Sequence, residues 1–245
     1  MSFEVMQKML VRYWPLFVRG AAITIWISII GTIIGFAIGL LVGLVRTIPT
    51  PQTKFKRIVL KVSNILLTMY IDFFRGTPMM VQAMVLYFGT ASAFGIQINR
   101  TIAAIVIVSI NTGAYMAEVV RGGIIAVDKG QFEAAHAIGM DHVTTMKEII
   151  LPQVIKNILP ATGNEFVVNI KDTSMLSVIG VSELFFQTNS IAGNNFRYTE
   201  AFFITSVIYL VITLSVTKIL KRFENKLEGS TTYSMIEDPK EMKVS

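Results

Sequence analysis

The chain has 245 residues, of which 53% are hydrophobic and only 16% charged, with a mean hydropathy of +0.60. A soluble domain is about a quarter charged, so these figures argue against an ordinary soluble globule and for a chain that faces lipid. The lack of cysteine excludes a disulfide framework and a thiolate metal site, and a formal charge of +6 fits basic loops beside a membrane better than a nucleic-acid surface.

Residues 1–19 carry Phe3, Met6, Met9, Leu10, Tyr13, Trp14 and Phe17 at roughly helical spacing, with Lys8, Arg12 and Arg19 among them. The pattern predicts a short N-terminal helix lying at the interface, with the rings of Tyr13 and Trp14 at headgroup depth. Residues 21–45 contain no charge and are long enough to cross. A cleaved signal peptide would have a shorter apolar region and a small-residue cleavage site, whereas this run ends at Arg46.

Further apolar stretches fall at 58–74, 78–95, 101–120, 149–170 and 201–220. Arg46, Lys54, Lys56 and Arg57 follow the first crossing, and Lys218, Lys221, Arg222 and Lys226 follow the last, so both clusters are expected in the cytoplasm. Matching sides require an even number of crossings between them, and five stretches remain. Stretches 58–74 and 78–95 are parted only by Arg75-Gly76-Thr77 and Pro78, and they merge into one long crossing broken at membrane depth. The expectation is an all-α polytopic membrane protein of about five transmembrane helices, N-terminus outside and C-terminus cytoplasmic. Its transmembrane domain occupies 20–225, and a polar tail, 226–245, is expected to lack order.

This orientation turns residues 125–153 toward the cytoplasm. Ala134, Ala135 and Ala137 favour a short helix over 131–138, and Gly139 is a natural C-terminal stop. Leu151 before Pro152 marks a break ahead of the next crossing. Small side chains permit close approach by a partner, with Glu133 and Lys147 as rim charges. On spacing alone an ordinary cytoplasmic loop fits equally well.

The residues go further than the spacing. Glu133-Ala134-Ala135, three residues, Gly139, nine residues, then Ile149-x-Leu151-Pro152 resembles the "EAA" loop of ATP-binding-cassette importer permeases. "FFRGTPMMVQ" (73–82), "AYMAEVVRGGI" (114–124) and "GNEFVVNIKDTSMLSVIG" (163–180) look like the branch that imports polar amino acids, the histidine, arginine, glutamine and glutamate type. With the hydropathy pattern, the likeness covers most of residues 15–225. It implies the type I importer permease fold in a prokaryotic inner membrane, without a cofactor. Glu133, Ala134, Ala135 and Gly139 would belong to the coupling helix that docks on a cytoplasmic ATPase. It also implies a second permease chain, identical or similar, and an external solute-binding protein. The chain has no G-x-x-x-x-G-K-[ST] phosphate loop, so it is not expected to be the enzyme; ATP hydrolysis would belong to a separate subunit.

An amino-acid zwitterion needs one site for its carboxylate and another for its ammonium, both near the middle of the membrane. A broken helix supplies the first, because a half-helix N-terminus presents free N–H groups and a positive dipole end. Around the break, Thr77 is expected to cap the second half and Pro78 to open its first turn. Arg75 adds a fixed charge, and Gly76 admits a ligand close to the backbone. The alternative for Arg75 is snorkelling to headgroups. Glu165, within an otherwise apolar helix, either meets the ammonium or pairs with an arginine such as Arg121. Asn164 and Asn169 share its neighbourhood, and Asn111 is a further polar residue in mid-crossing. The choice of amino acid stays open, as do a permease of the same class for another small solute and a channel or structural subunit without ATP coupling. An enzyme is disfavoured, since His136 and His142, the only histidines, have no partner at ligand spacing.

Overall fold

The computed structural model describes residues 2–228, so the expectation for the tail falls outside the described residues from Gly229 onward. The described elements are helical. They run α1 (Phe3–Arg46), α2 (Lys54–Gly76), α3 (Met79–Phe94), α4 (Arg100–Ile125), α5 (Lys129–Ala137), α6 (His142–Thr145), α7 (Leu151–Asp172), α8 (Leu184–Asn195) and α9 (Tyr198–Glu228). A π-helical turn, Met146–Ile150, joins α6 to α7, and a 3₁₀ stretch, Thr173–Ile179, follows α7.

The α1–α4 pair organises the bundle. Gly31, Gly35, Gly39 and Gly43 of α1 face Val108, Thr112, Met116 and Val120 of α4, one turn after another. Both series ascend together, so the two helices are parallel. Their backbones touch closely: a Cβ at Gly39 would stand 2.4 Å from Cβ of Met116. Small residues at a helix seam allow this approach, and dispersion contacts then hold the pair where hydrophobic transfer contributes little.

Parallel α1 and α4 leave one return crossing for everything between them. The α2–α3 pair makes it, broken at Thr77-Pro78. Near one end Tyr70 of α2 donates to the Ile110 carbonyl of α4. Further along, Met79 and Ala83 of α3 are buried with Ala103, Ala104 and Ile107 of α4.

A second broken crossing runs from α7 to α8. Val154 and Ile158 of α7 pack with Val120 and Ile124, and one face further on Asn169 reaches Thr32 and Thr112. Gly180, at φ 79, turns the chain beside Arg100. Glu183 then caps α8: its buried carboxylate accepts from the N–H groups of Phe185 and Phe186 at 2.8 and 2.7 Å and from the Tyr209 hydroxyl. α9 returns beside α8 and α7, with Thr205 against Thr188 and Leu220 against Gly163. Among the described residues the crossings are therefore five: α1, α2–α3, α4, α7–α8 and α9. Three of the helices, those starting at Phe3, Arg100 and Tyr198, are long and apolar enough to cross a membrane individually.

Two local expectations are corrected. Residues 1–19 form no separate interfacial helix; α1 is a single helix of 44 residues with Pro15 inside it. At 1.5 Å per residue it is about 66 Å long, roughly twice a hydrocarbon core. Tertiary packing overrides the proline: Met9 and Phe17 are buried against Leu184, Ile191 and Ala201, and Tyr13 bonds Asn195. Leu151-Pro152 does not break the chain either. Pro152 lacks an N–H, and the helix absorbs this through the π turn, where the Leu151 N–H bonds the Met146 carbonyl.

Candidate functional site

The break starts from a local steric fact. Proline disfavours helix at the residue before it, and Thr77 is extended at φ −123, ψ 148. α2 therefore stops at Gly76 and α3 starts at Met79, with Pro78 as its N-cap. Thr77 does not cap α3, and Pro78 lies outside its first turn. Instead the Thr77 hydroxyl donates back to the Phe73 carbonyl at 2.8 Å.

Ending α2 inside the bundle leaves its last carbonyls without helical partners. Gln82, 2% exposed, supplies them from α3. Its Nε2 donates to the carbonyls of Phe74 and Thr77 and to the Thr77 hydroxyl, each at 2.9 Å. Asn111 of α4 donates to Gln82 Oε1 at 2.9 Å and to the Phe74 carbonyl at 3.3 Å. Asn111 is thus the clamp on the break. Gln82 escaped the sequence reading although it stands three residues past Met79 in the same quoted stretch; a glutamine in an apolar half-helix was the signal.

On the other side of the break the residues are open. Arg75, Gly76 and Pro78 are exposed, and the Arg75 guanidinium carbon lies 5.4 Å from the centroid of the Tyr115 ring. A Cβ at Gly76 would meet nothing within 4 Å, so the fold itself does not demand glycine there. Val81 and Gln82 donate to the Pro78 carbonyl, and the N–H groups of Met79 and Met80 precede that first helical bond of α3.

Glu165 is half-buried on α7 and makes no ion pair among the described residues. Arg121, its candidate structural partner, instead joins Arg46 on Glu118. Glu165 lies one turn before Asn169 on the same helix face, and Asn169 bonds Thr112, three residues before Tyr115. Asn164 turns elsewhere: it lines a cleft of about 200 Å³ between α7 and α9, with Thr217 and Lys221. The two neighbours in sequence therefore do not share a site, and Asn169 is sequestered against α1 and α4.

The loop between α4 and α7 begins with Asp128, whose carboxylate accepts from Gly130 N–H at 2.6 Å and caps α5. Glu133 and Ala134 are exposed, whereas Ala135, 1% exposed, packs inward. α5 ends in a Schellman turn: Gly139 N–H bonds His136 and Met140 N–H bonds Ala135. Gly139 has φ 84, in the left-handed region that glycine occupies without strain. Beside it Ile138 and Val143 are 78% and 71% exposed, two apolar side chains presented outward that the small-residue pattern did not single out. Asp141 caps α6, and its hydrogen bonds from Thr144 hold its carboxyl below the usual aspartate range.

Residues 57–229 match the family model of the binding-protein-dependent transport system inner membrane component. The chain belongs to this family. It is 39% identical over 215 residues to the glutamine transport system permease protein GlnP of Escherichia coli K12, covering 87% of this chain and 94% of that one. Over 161 residues it is 40% identical to the arginine transport system permease protein ArtQ of Bacillus subtilis, covering 66% and 74%. Among solved structures, an amino acid ABC transporter with histidines superposes with a TM-score of 0.76 at 39% identity, over 89% of this chain and 96% of that one. The MetNI methionine transporter in an inward-facing conformation, at 19% identity, shares the fold with a TM-score of 0.72.

The permease is thus a multi-pass membrane subunit whose fold combines one rigid seam, α1 on α4, with two crossings interrupted in mid-course. Non-helical backbone of this kind is tolerated at membrane depth only where it is buried in protein or lines a cavity.

Proposed function

We propose that the chain is the membrane permease of an amino-acid importer, working by alternating access and driven by a separate ATPase subunit. The observation that carries this reading is the clamped break beside Arg75, in a chain 39% identical to a glutamine permease. Arg75 with the free N–H groups of Met79 and Met80 receives the carboxylate, with Gly76, Thr77 and Pro78 shaping the approach. Glu165 receives the ammonium from α7. Asn111 holds the break in position, and Asn164 lines the neighbouring cleft of α7 and α9.

The N-terminus lies outside and the loop 125–153 in the cytoplasm, an orientation supported by the basic clusters Arg46, Lys54, Lys56 and Arg57. Residues 20–225 form the permease domain. Glu133, Ala134 and Gly139 offer the surface on which an ATPase docks, with Ala135 setting the helix on its base. ATP binding draws two ATPases together, α5 transmits the movement, and the cavity between this chain and a second permease chain turns outward to a solute-binding protein. Hydrolysis resets it. The permease performs no chemistry on its cargo.

The test is uptake of labelled amino acids in cells lacking the gene and in complemented cells, with and without energy poisoning. ATP-dependent uptake of one or a few amino acids, restored by this chain, is expected. Restored growth or transport with no amino acid moving would overturn amino acids as the cargo.

A further inference from the structure

α2 is amphipathic in a way a lipid-facing helix is not. Lys54, Arg57, Lys61, Asn64, Thr68, Asp72 and Arg75 follow one another at steps of three or four residues. At 100° per residue they fall within an arc of about 80°. From Ile58 to Arg75 the only polar residues off that arc are Ser63 and Tyr70. The stripe is about 30 Å long, the thickness of a hydrocarbon core. Lipid cannot cover it, because Asp72 and Arg75 would then stand in hydrocarbon. The chain covers it only in part: Lys54, Arg57, Lys61, Asp72 and Arg75 are exposed, and Asn64 and Thr68 are half-buried.

The stripe ends in a groove of about 530 Å³ walled by Thr50, Arg57, Leu60, Lys61, Asn64 and Thr68. Asn64 is a wall residue, and its Oδ1 is buried behind the groove surface and accepts no hydrogen bond; it is the only such side-chain polar atom among the described residues. A buried carbonyl oxygen calls for a donor. Two cations without an acid among the lining residues call for an anion. An α-amino acid zwitterion carries both, as an ammonium and a carboxylate on one carbon.

We propose that this face of α2 walls a water-filled route from the break to the loop end, and that the groove of Arg57, Lys61 and Asn64 is a second, transient station for an amino-acid zwitterion. The station rests on the amino-acid reading of the break; the route does not. Arg57 and Lys61 take the carboxylate, and Asn64, its amide turned toward the groove, accepts a proton of the ammonium on Oδ1. Together with Arg75 they give the cargo successive anion sites spaced along one helix, so that leaving the break does not require bare hydration in a narrow path.

The chain lacks cysteine, so a single cysteine labels this subunit without background from the chain itself, read on the subunit's own band in a gel. In proteoliposomes of the complete transporter, Thr68→Cys and Asp72→Cys should react with a charged methanethiosulfonate at least about tenfold faster than Leu66→Cys and Phe73→Cys, since a thiolate needs water. Millimolar L-glutamine or L-arginine should slow the reaction of Thr68→Cys several-fold, and adding Asn64→Leu should abolish that protection while labelling persists. Equal labelling of all four positions, or none at Thr68→Cys and Asp72→Cys, overturns the route. Labelling without protection, in a preparation that imports the same amino acid, overturns the station. If the unsubstituted transporter imports no amino acid of a labelled panel, the cargo reading fails and the station falls with it, while the labelling contrast alone still decides the route.

Discussion

Asn111 on α4 and Gln82 on α3 are joined by a 2.9 Å hydrogen bond that closes over the end of α2. The bond makes one polar cluster of the Phe74 and Thr77 carbonyls, the Thr77 hydroxyl and two amide side chains. Gln82→Leu removes the donor for two of those acceptors outright. Orphaned buried carbonyls cost about 1–3 kcal/mol each, and membrane hydrogen bonds fall at the low end. The expected result is a lower unfolding midpoint in detergent for Gln82→Leu and a smaller loss for Asn111→Ala, which leaves Gln82 bonded to the helix end. A variant as stable as the parent would mean that the break needs no clamp.

The α1–α4 seam makes a sharper forecast. A Cβ at Gly39 meets the Met116 side chain at 2.4 Å and its backbone at 2.8 Å, whereas one at Gly122 meets nothing within 4 Å. Gly39→Val should therefore force the two helices apart and lose about 1–3 kcal/mol or more, as overpacked cores do. Gly122→Ala, on the same helix as Met116, should be neutral or slightly stabilising through helix propensity. Thermal melts of the two purified variants decide between them, and equal melts would contradict the close packing.

These two features differ in how far the sequence disclosed them. The merging of α2 with α3 was legible, because basic clusters at Arg46 and Lys218 constrain the parity of crossings and Pro78 marks where helix stops. The glycine stripe of α1 was on view as a four-residue repeat but does not name its partner helix. Residues 173–196 were assigned to no crossing, although 173–180 carried part of the family likeness, since a 3₁₀ stretch, a glycine turn and a short helix capped by buried Glu183 have no apolar run of membrane length. Pro152 misled in its own way: a local rule places a break there, and a π turn before Leu151 removes it. At the site, the structure gives the residues positions that their types alone do not. Arg75 stands open at the break, but Thr77 accepts from Gln82 rather than capping, and Asn164 faces a different cleft from Glu165.

Arg75 offers the most direct test of cargo recognition. Its guanidinium rests over Tyr115 with 5.4 Å between carbon and ring centroid, a position held by stacking as well as charge. A charge-assisted hydrogen bond to a carboxylate is worth about 1.5–3 kcal/mol, so Arg75→Gln should lower uptake by about tenfold or more at subsaturating cargo. Arg75→Lys keeps the charge without the flat stacking face and should fall between the two. ATPase activity measured without cargo should stay near the parent value in both. Unchanged uptake in Arg75→Gln would return the residue to a headgroup contact.

The surface around Gly139 separates folding from coupling. Gly139 sits at φ 84, where a side chain costs about 1–2 kcal/mol, and nothing lies within 4 Å of where its Cβ would be. Gly139→Asn tolerates the left-handed backbone and adds little bulk, so transport should survive. Gly139→Arg places a long charged chain between exposed Ile138 and Val143 and should uncouple transport while the protein remains in the membrane at normal level. Ile138→Glu tests the same surface without touching the backbone: its side chain is already in solvent, so the fold should be unaffected. It should nevertheless weaken binding of the ATPase subunit, since exposed apolar residues at an interface centre carry much of the affinity. Co-purification of the ATPase with each variant, set beside its uptake, reads this directly. Normal co-purification and uptake in both Gly139→Arg and Ile138→Glu would remove α5 and its turn from the docking surface.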